Sequence, residues 1–405
     1  MKKILLATTA ITAAALYAQA AQAQITVSLG GYTEFFGAYR DDDVPNRNSR
    51  EFQLETEIVV RADGKADNGL LYGAKIELQN GGTGSNFTTP SSFNATGIVE
   101  DEASVYLSGT WGRIELGDFD GAADTLAIYA PLVGIEQLDG DAYDFLDVFA
   151  LGAGTGVTAT PTVRFGALPM GSVVKGPDSG DATKVMYLTP RFAGIQAGVS
   201  YAAQAGNLFS EGQAVIPFET SGGYKDFWEF GANYTGEFAG FSVAVGANGS
   251  TATGQPTATA GRTLEDFFAW QAGAQVGYAG FKVGGGYIDS GDYNNVSGIA
   301  GGTGDSTAWH AGVSYTAGPV AIGVTYADAE GFKGSPNAVT GIPQSYATDY
   351  KTYGGGVAYT LAPGMVLQAD LMYVEEDLRS VNAAGAISTT SNEGYVAVLS
   401  TRLNF

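Results

Sequence analysis

The sequence predicts an all-β fold, a 16-stranded antiparallel transmembrane β-barrel. Three observations predict it. Tight turns carrying glycine recur with a period near 40 residues. The segments between them alternate with a period of two, the mark of a strand with two unlike faces. On each such strand the apolar face places aromatics at its ends and aliphatics between them, while the other face is small and neutral.

The chain opens on "MKKILLATTAITAAALYAQAAQA", two lysines, an apolar run and Ala21-Gln22-Ala23. That is the plan of a secretory signal peptide with an A-x-A cleavage site. Residues 1–23 are expected to be removed, leaving residues 24–405 as the barrel. No other stretch offers the ~18 uninterrupted apolar residues of a spanning helix. Cysteine is absent, so disulfide staples and thiolate metal sites are excluded. Asp and Glu outnumber Lys and Arg 42 to 20, for a formal charge of −22. A basic face for nucleic acid is not on offer. Aromatics at 12% argue against disorder, and 59 glycines in 405 residues are about twice ordinary usage.

The first strand is read from Ile25 to about Tyr39. Hairpins follow around Gly69, Gly112, Gly194, Gly240, Gly280, Gly318 and Gly364, and a last strand ends at Phe405. One strand, seven hairpins and one strand make sixteen. Trp270, Ala272, Ala274, Val276 and Tyr278 form an apolar face against Gln271, Gly273, Gln275 and Gly277. Trp309, Ala311, Val313 and Tyr315 do the same against His310, Gly312, Ser314 and Thr316. A strand of about ten residues with such a face fits a tilted crossing of a bilayer, and its aromatics fit the interfacial girdles. A β-propeller also repeats near 40 residues, but its blades have four short strands and these units have two long ones. A soluble sandwich would not gather its aromatics at the strand ends.

In lipid no sheet edge can stay open, so the first and last strands must pair, which places Phe405 at the closing seam. An even strand count puts both termini and the tight turns on one side. The long polar connections, 40–50, 80–99, 204–223 and 328–348, fall on the other. A closed sheet of this size is too wide for side chains to fill and leaves an aqueous lumen.

From Gly112 to Gly194 the gap is two periods, so one unit carries an insertion or hides a hairpin. The stretch "VYLSGTWGRIELGDFDGAADTLAIYAPLVGIEQLDGDAYDFLDVF" (Val105–Phe149) opens it. Leu107, Ser108, Gly109, Gly112, Ile114, Glu115, Gly117, Asp118, Gly121 and Ala122 follow the pattern "LSG-x-x-G-x-I-E-x-GD" running into a "GA" step. In this the chain resembles the general diffusion porins of Gram-negative outer membranes, in particular the type found in photosynthetic alphaproteobacteria. The signal peptide, the "DNG-L-x-x-GA" hairpin, "VMYLTPRFAG" and the terminal Phe405 extend the resemblance along the whole chain, with the loops diverging. It implies a trimer of sixteen-stranded barrels, each with a long third loop, here about 118–160, folded into the lumen to constrict the pore.

The residues of that stretch read the same way. It holds Glu115, Asp118, Asp120, Asp124, Glu136, Asp139, Asp141, Asp144 and Asp147, with Arg113 as its only base. Packed on the inner wall, its Leu, Ile, Tyr and Phe side chains would be covered and its carboxylates would face the water path, where they favour cations. In the family the wall opposite is basic. Here the inward face of the second strand reads Gln53, Glu55, Glu57, Val59, Arg61, so Arg61, Lys75 and Arg113 are the candidate basic residues of the pore wall. Arg40, Arg47 and Arg50 are assigned to the outer mouth.

No catalytic residue is assigned. A barrel enzyme of phospholipase or protease type is the first alternative, but the lone His310 has no G-x-S-x-G partner. A structural or adhesive barrel with a plugged lumen is the second. "DGDAYDFLD" resembles the start of a calcium loop but lacks the glycine and glutamate of an EF-hand. Calcium at Asp118, Asp120, Asp139 and Asp141 is expected as a counter-ion to crowded carboxylates, and no other cofactor is required. Expected partners are outer-membrane lipid and lipopolysaccharide, two further copies of the chain in a homotrimer, and the outer-membrane assembly machinery.

Overall fold

A computed structural model describes residues 25–43, 48–80, 98–135, 138, 145, 176–204, 223–256, 262–297, 306–331, 345–381 and 387–405. Among them are sixteen strands: β1 (Thr26–Asp42), β2 (Arg50–Lys65), β3 (Leu71–Asn80), β4 (Ile98–Gly109), β5 (Gly112–Asp118), β6 (Thr183–Leu188), β7 (Ile195–Gln204) and β8 (Tyr224–Phe238). They continue as β9 (Phe241–Gly254), β10 (Phe267–Tyr278), β11 (Phe281–Asp289), β12 (Thr307–Ala317), β13 (Val320–Glu330), β14 (Ser345–Ala362), β15 (Met365–Val381) and β16 (Ile387–Asn404). Every strand pairs antiparallel with its sequence neighbours, and β16 pairs with β1 to close the barrel. No helix among the described residues is long and apolar enough to cross a membrane.

The seven turn glycines read from the sequence all have φ between +59° and +119°. In three hairpins an alanine precedes the glycine, also at positive φ: Ala193 (48°), Ala239 (51°) and Ala279 (49°). Two consecutive left-handed residues give a turn whose twist matches that of the flanking strands.

The outer face is apolar and carries two aromatic belts. Near the tight turns Phe241 stacks on Tyr278 at 4.5 Å and Phe281 meets Tyr315 at 4.3 Å. Toward the other end Trp270 meets Tyr287 at 5.5 Å, Trp309 meets Tyr326 at 4.9 Å, and Tyr326 meets Tyr353 at 5.0 Å. On β10 eight residues separate Tyr278 from Trp270, about 27 Å along the strand. That is the height of an outer-membrane barrel's apolar band, after allowing for tilt.

The connection from β5 to β6 runs from Phe119 to Ala182. Its returning limb is described at residues 176–182. Its outgoing limb contains one short helix, α1 (Ala122–Thr125).

Candidate functional site

The outgoing limb lies against the inner wall and is tied to strand after strand. Ser200 Oγ on β7 accepts the Ala122 N–H at 2.9 Å. Asn233 Nδ2 on β8 donates to the Leu126 carbonyl at 3.1 Å, and Gln275 Nε2 on β10 to the Tyr129 carbonyl at 2.7 Å. His310 Nδ1 on β12 accepts the Ala130 N–H at 3.3 Å, and Asp370 Oδ1 on β15 the Ile135 N–H at 3.2 Å. Arg40 Nη1 on β1 donates to the Phe145 carbonyl at 2.7 Å.

Between these ties the wall is cut away by glycine. A Cβ on Gly246 of β9 would stand 2.9 Å from Ile128 Cγ1 and 3.0 Å from the Leu126 carbonyl oxygen. One on Gly323 of β13 would stand 3.0 Å from Val133 Cγ2. At Gly273 of β10, Gly312 of β12 and Gly356 of β14, the space of a Cβ is taken by the carbonyls of Ile128, Pro131 and Val133. Gly273 pairs with Gly246, and Gly323 with Gly356. The result is a trough across the strands, as deep as the missing side chains, in which the loop backbone lies. Sequence reasoning read these positions only as a small neutral face. Their signal was glycine recurring at inward positions of adjacent strands.

The loop's apolar side chains are covered as well. Ala130, Ile135, Leu138 and Phe145 pack in one buried cluster with inward residues of β1 and β11–β16, among them Phe36, Ile288, Met372, Val374, Val396 and Val398. Leu126 packs with Phe119, Ala122, Met186 and Leu188. At the end away from the tight turns, Tyr224, Phe227, Phe267, Leu264 and Val296 form a third apolar cluster, with Tyr293 packed against it. Burial there pushes the Tyr293 phenol up to about 12.

The described loop thus follows the wall from β6 to β1. The wall of β2–β4 is not covered by it. Half-buried side chains on this wall include five acids: Glu55, Glu57, Glu77, Asp101 and Glu102. A register shift between Ile76 and Leu78 on β3, opposite Glu100–Ala103, lets Asp101 and its neighbour Glu102 both reach inward partners. Gln79 Nε2 donates to Asp101 Oδ1 at 2.6 Å, and Lys75 pairs with Glu102 and, at 2.9 Å, with Glu77. Carboxylate oxygens of Glu57, Glu77 and Asp101 lie within 4.8 Å of one another, as do those of Glu102, Asp120 and Asp181. Such oxygen sets are of the kind hard cations use.

The sequence candidates fall as follows. Glu115 on β5 is buried, accepting Ser104 Oγ at 2.7 Å and Arg113 Nε at 2.8 Å. The Arg113 guanidinium also lies 4.0 Å over the Tyr106 ring. Asp118 is buried at the end of β5. Asp120 joins the second carboxylate trio, and Asp124 accepts Tyr129 Oη at 2.7 Å. Lys75 sits between the two trios, and Arg61 beside it in register is exposed. Asp139, Asp141, Asp144 and Asp147 lie outside the described residues, as does Glu136. Among the described residues Lys75 is flanked by Glu77 and Glu102 on its own side of the wall.

The sequence profile of a family described as Gram-negative porin matches residues 7–378 of the chain. No curated protein matches it. Among solved structures, variants of the porin of Rhodopseudomonas blastica are similar in fold. One has 15% identity and a TM-score of 0.54, another 17% and 0.52, and each comparison covers 94% of this chain and 100% of the other.

Proposed function

Because the chain belongs to the Gram-negative porin family, whose fold it shares and whose members form outer-membrane channels for passive diffusion, we propose that its channel prefers cations among the ions and small hydrophilic solutes it passes. One observation carries the preference: the wall of β2–β4 bears Glu55, Glu57, Glu77, Asp101 and Glu102, while Lys75 is held between two of them. Several carboxylates in a narrow, low-dielectric-walled pore reinforce one another. The zero-current potential of planar bilayers in a salt gradient tests this. A cation-side potential supports the reading, and an anion-side one overturns it.

The rest of the reading has its own supports. The channel is non-enzymatic, with the His310 imidazole engaged by the loop backbone. The outer flank of β1 and β2 carries Thr33 and Thr56 with their hydroxyls 3.3 Å apart. Polar groups on a lipid-facing wall favour contact with protein, which agrees with a homotrimer sitting in outer-membrane lipid and lipopolysaccharide. Residues 1–23 act as the cleaved export signal, and the assembly machinery inserts the barrel. Calcium enters as a counter-ion where carboxylates crowd, at Asp120 with Glu102 and Asp181, together with Asp118, Asp139 and Asp141.

A further inference from the structure

The connection between β5 and β6 leaves the wall and returns to it through a neck, where two buried side chains of opposite charge each hold both limbs. Lys184 on β6 is 3% exposed and donates from Nζ to the carbonyls of Phe119, on the outgoing limb, and Gly180, on the returning limb. Glu229 on β8 is 1% exposed. Its Oε2 accepts the Ala123 N–H of the outgoing limb at 3.2 Å, and its Oε1 accepts the Ser179 N–H of the returning limb at 2.9 Å together with the Ser179 hydroxyl. The division follows from chemistry: the ammonium takes carbonyls and the carboxylate takes N–H groups. Gly121 admits the Glu229 carboxylate because the space of a Cβ is taken by it.

We infer that Lys184 and Glu229 are positioning residues that clasp the neck of the loop and hold the channel at a single open size. The inference rests on the diffusion-channel reading. The ties at Asn233, Gln275 and His310 are neutral hydrogen bonds, and the charge-assisted ones at Asp370 and Arg40 each hold the outgoing limb alone, whereas each charged side chain at the neck holds both limbs. The clasp is also mutual. The carboxylate of Glu229, with those of Asp120, Asp178 and Asp181, lies within electrostatic reach of the Lys184 ammonium. Removing Lys184 takes the buried positive charge from all four carboxylates, and removing Glu229 takes one carboxylate of the four from Lys184, each a costlier change than losing an exposed pair. Both residues are buried, so the clasp acts through the backbone it holds.

Single-channel recordings of Lys184→Met and Glu229→Gln test the inference. The expected result is a current that breaks into sublevels, with closures roughly tenfold or more as frequent as in the unaltered chain. Ion selectivity and the heat resistance of the folded barrel should change little. A second measurement needs no variant: hydrogen exchange in the folded protein should protect the amides of Ala123 and Ser179 as strongly as those of the strands. Steady currents from both variants would overturn the clasp, and so would fast exchange at both amides. If the unaltered chain passes no current, the diffusion-channel reading itself falls and the clasp falls with it. If the unaltered chain conducts steadily and the variants match it, only the clasp falls.

Discussion

Gly31 and Phe405 exchange both of their backbone hydrogen bonds, each at 3.0 Å. The last residue of the chain is therefore held by the first strand through its N–H and its carbonyl. Its side chain remains 56% exposed on the outer face. Without Phe405 the Gly31 amide and carbonyl lose their partners at the edge of the seam, where lipid offers none.

Deleting Phe405 should accordingly impair outer-membrane assembly far more than removing residues 334–345 from an outer connection. Heat-stable oligomer on unboiled gels measures it. Normal yield from the deletion would show that the terminal residue is dispensable for closure.

Gly273→Val should unseat the loop, because its Cβ would stand where the Ile128 carbonyl lies. Overpacking of this kind costs about 1–3 kcal/mol, and displacing the loop is the cheapest relief. The neighbouring Ala274→Val faces an open apolar groove on the other side of the sheet and serves as control. Altered conductance and sugar-size cut-off are expected for the first substitution only. Equal behaviour of the two would place the loop off the trough.

Deleting residues 124–133 removes the segment that crosses β8 to β14 in the trough. Single-channel conductance should rise, and larger neutral sugars should pass. An unchanged conductance would mean that this segment does not limit the aperture.

Charge neutralisation along the path should be graded. Two unit charges 10 Å apart interact by only about 0.4 kcal/mol in bulk water, so one substitution will do little, and several together about 1.4 kcal/mol, a tenfold preference. Glu57→Gln, Glu77→Gln and Asp101→Asn combined should move the zero-current potential toward the anion side, and Lys75→Met should move it the other way. The same neutralisation at Asp118, Asp120, Asp139, Asp141 and Asp144 tests the loop's share. All shifts should shrink at high salt, where screening is effective within ~10 Å at 0.1 M and shorter above. A triple variant that keeps its potential would remove the β2–β4 wall from the selectivity mechanism.

The barrel could be read from the sequence because its determinants are local. Glycine at a hairpin tip and alternation on either side need only a dozen residues to be visible, and closure follows from the impossibility of a free edge in lipid. The site depends on contacts that local patterns do not carry. Period-two reading assigns Asp101 and Glu102 to opposite faces, and only the register shift on β3 brings both to partners in the lumen. Lys184 reaches the Phe119 carbonyl across 65 residues and Glu229 the Ala123 amide across 106, separations at which no spacing rule applies. The inward glycines were visible as composition, but their meaning required the loop that fills them.

The loop also bears on how the ends of the chain find each other. Tyr32 pairs with Asn404, so the seam joins residues almost a full chain length apart. Closing such a span unaided carries an entropic cost of about 5 kcal/mol plus a constant. Phe145 is bonded to Arg40 on β1, while Ile135, ten residues away, is bonded to Asp370 on β15. Phe145 also packs in the same buried cluster as Phe36 of β1 and Val396 and Val398 of β16. A segment from the middle of the chain thus straps the seam from within, so that separating β1 from β16 requires the loop to let go as well. Kinetic resistance of the closed barrel to unzipping is then a second property of the residues that narrow the channel.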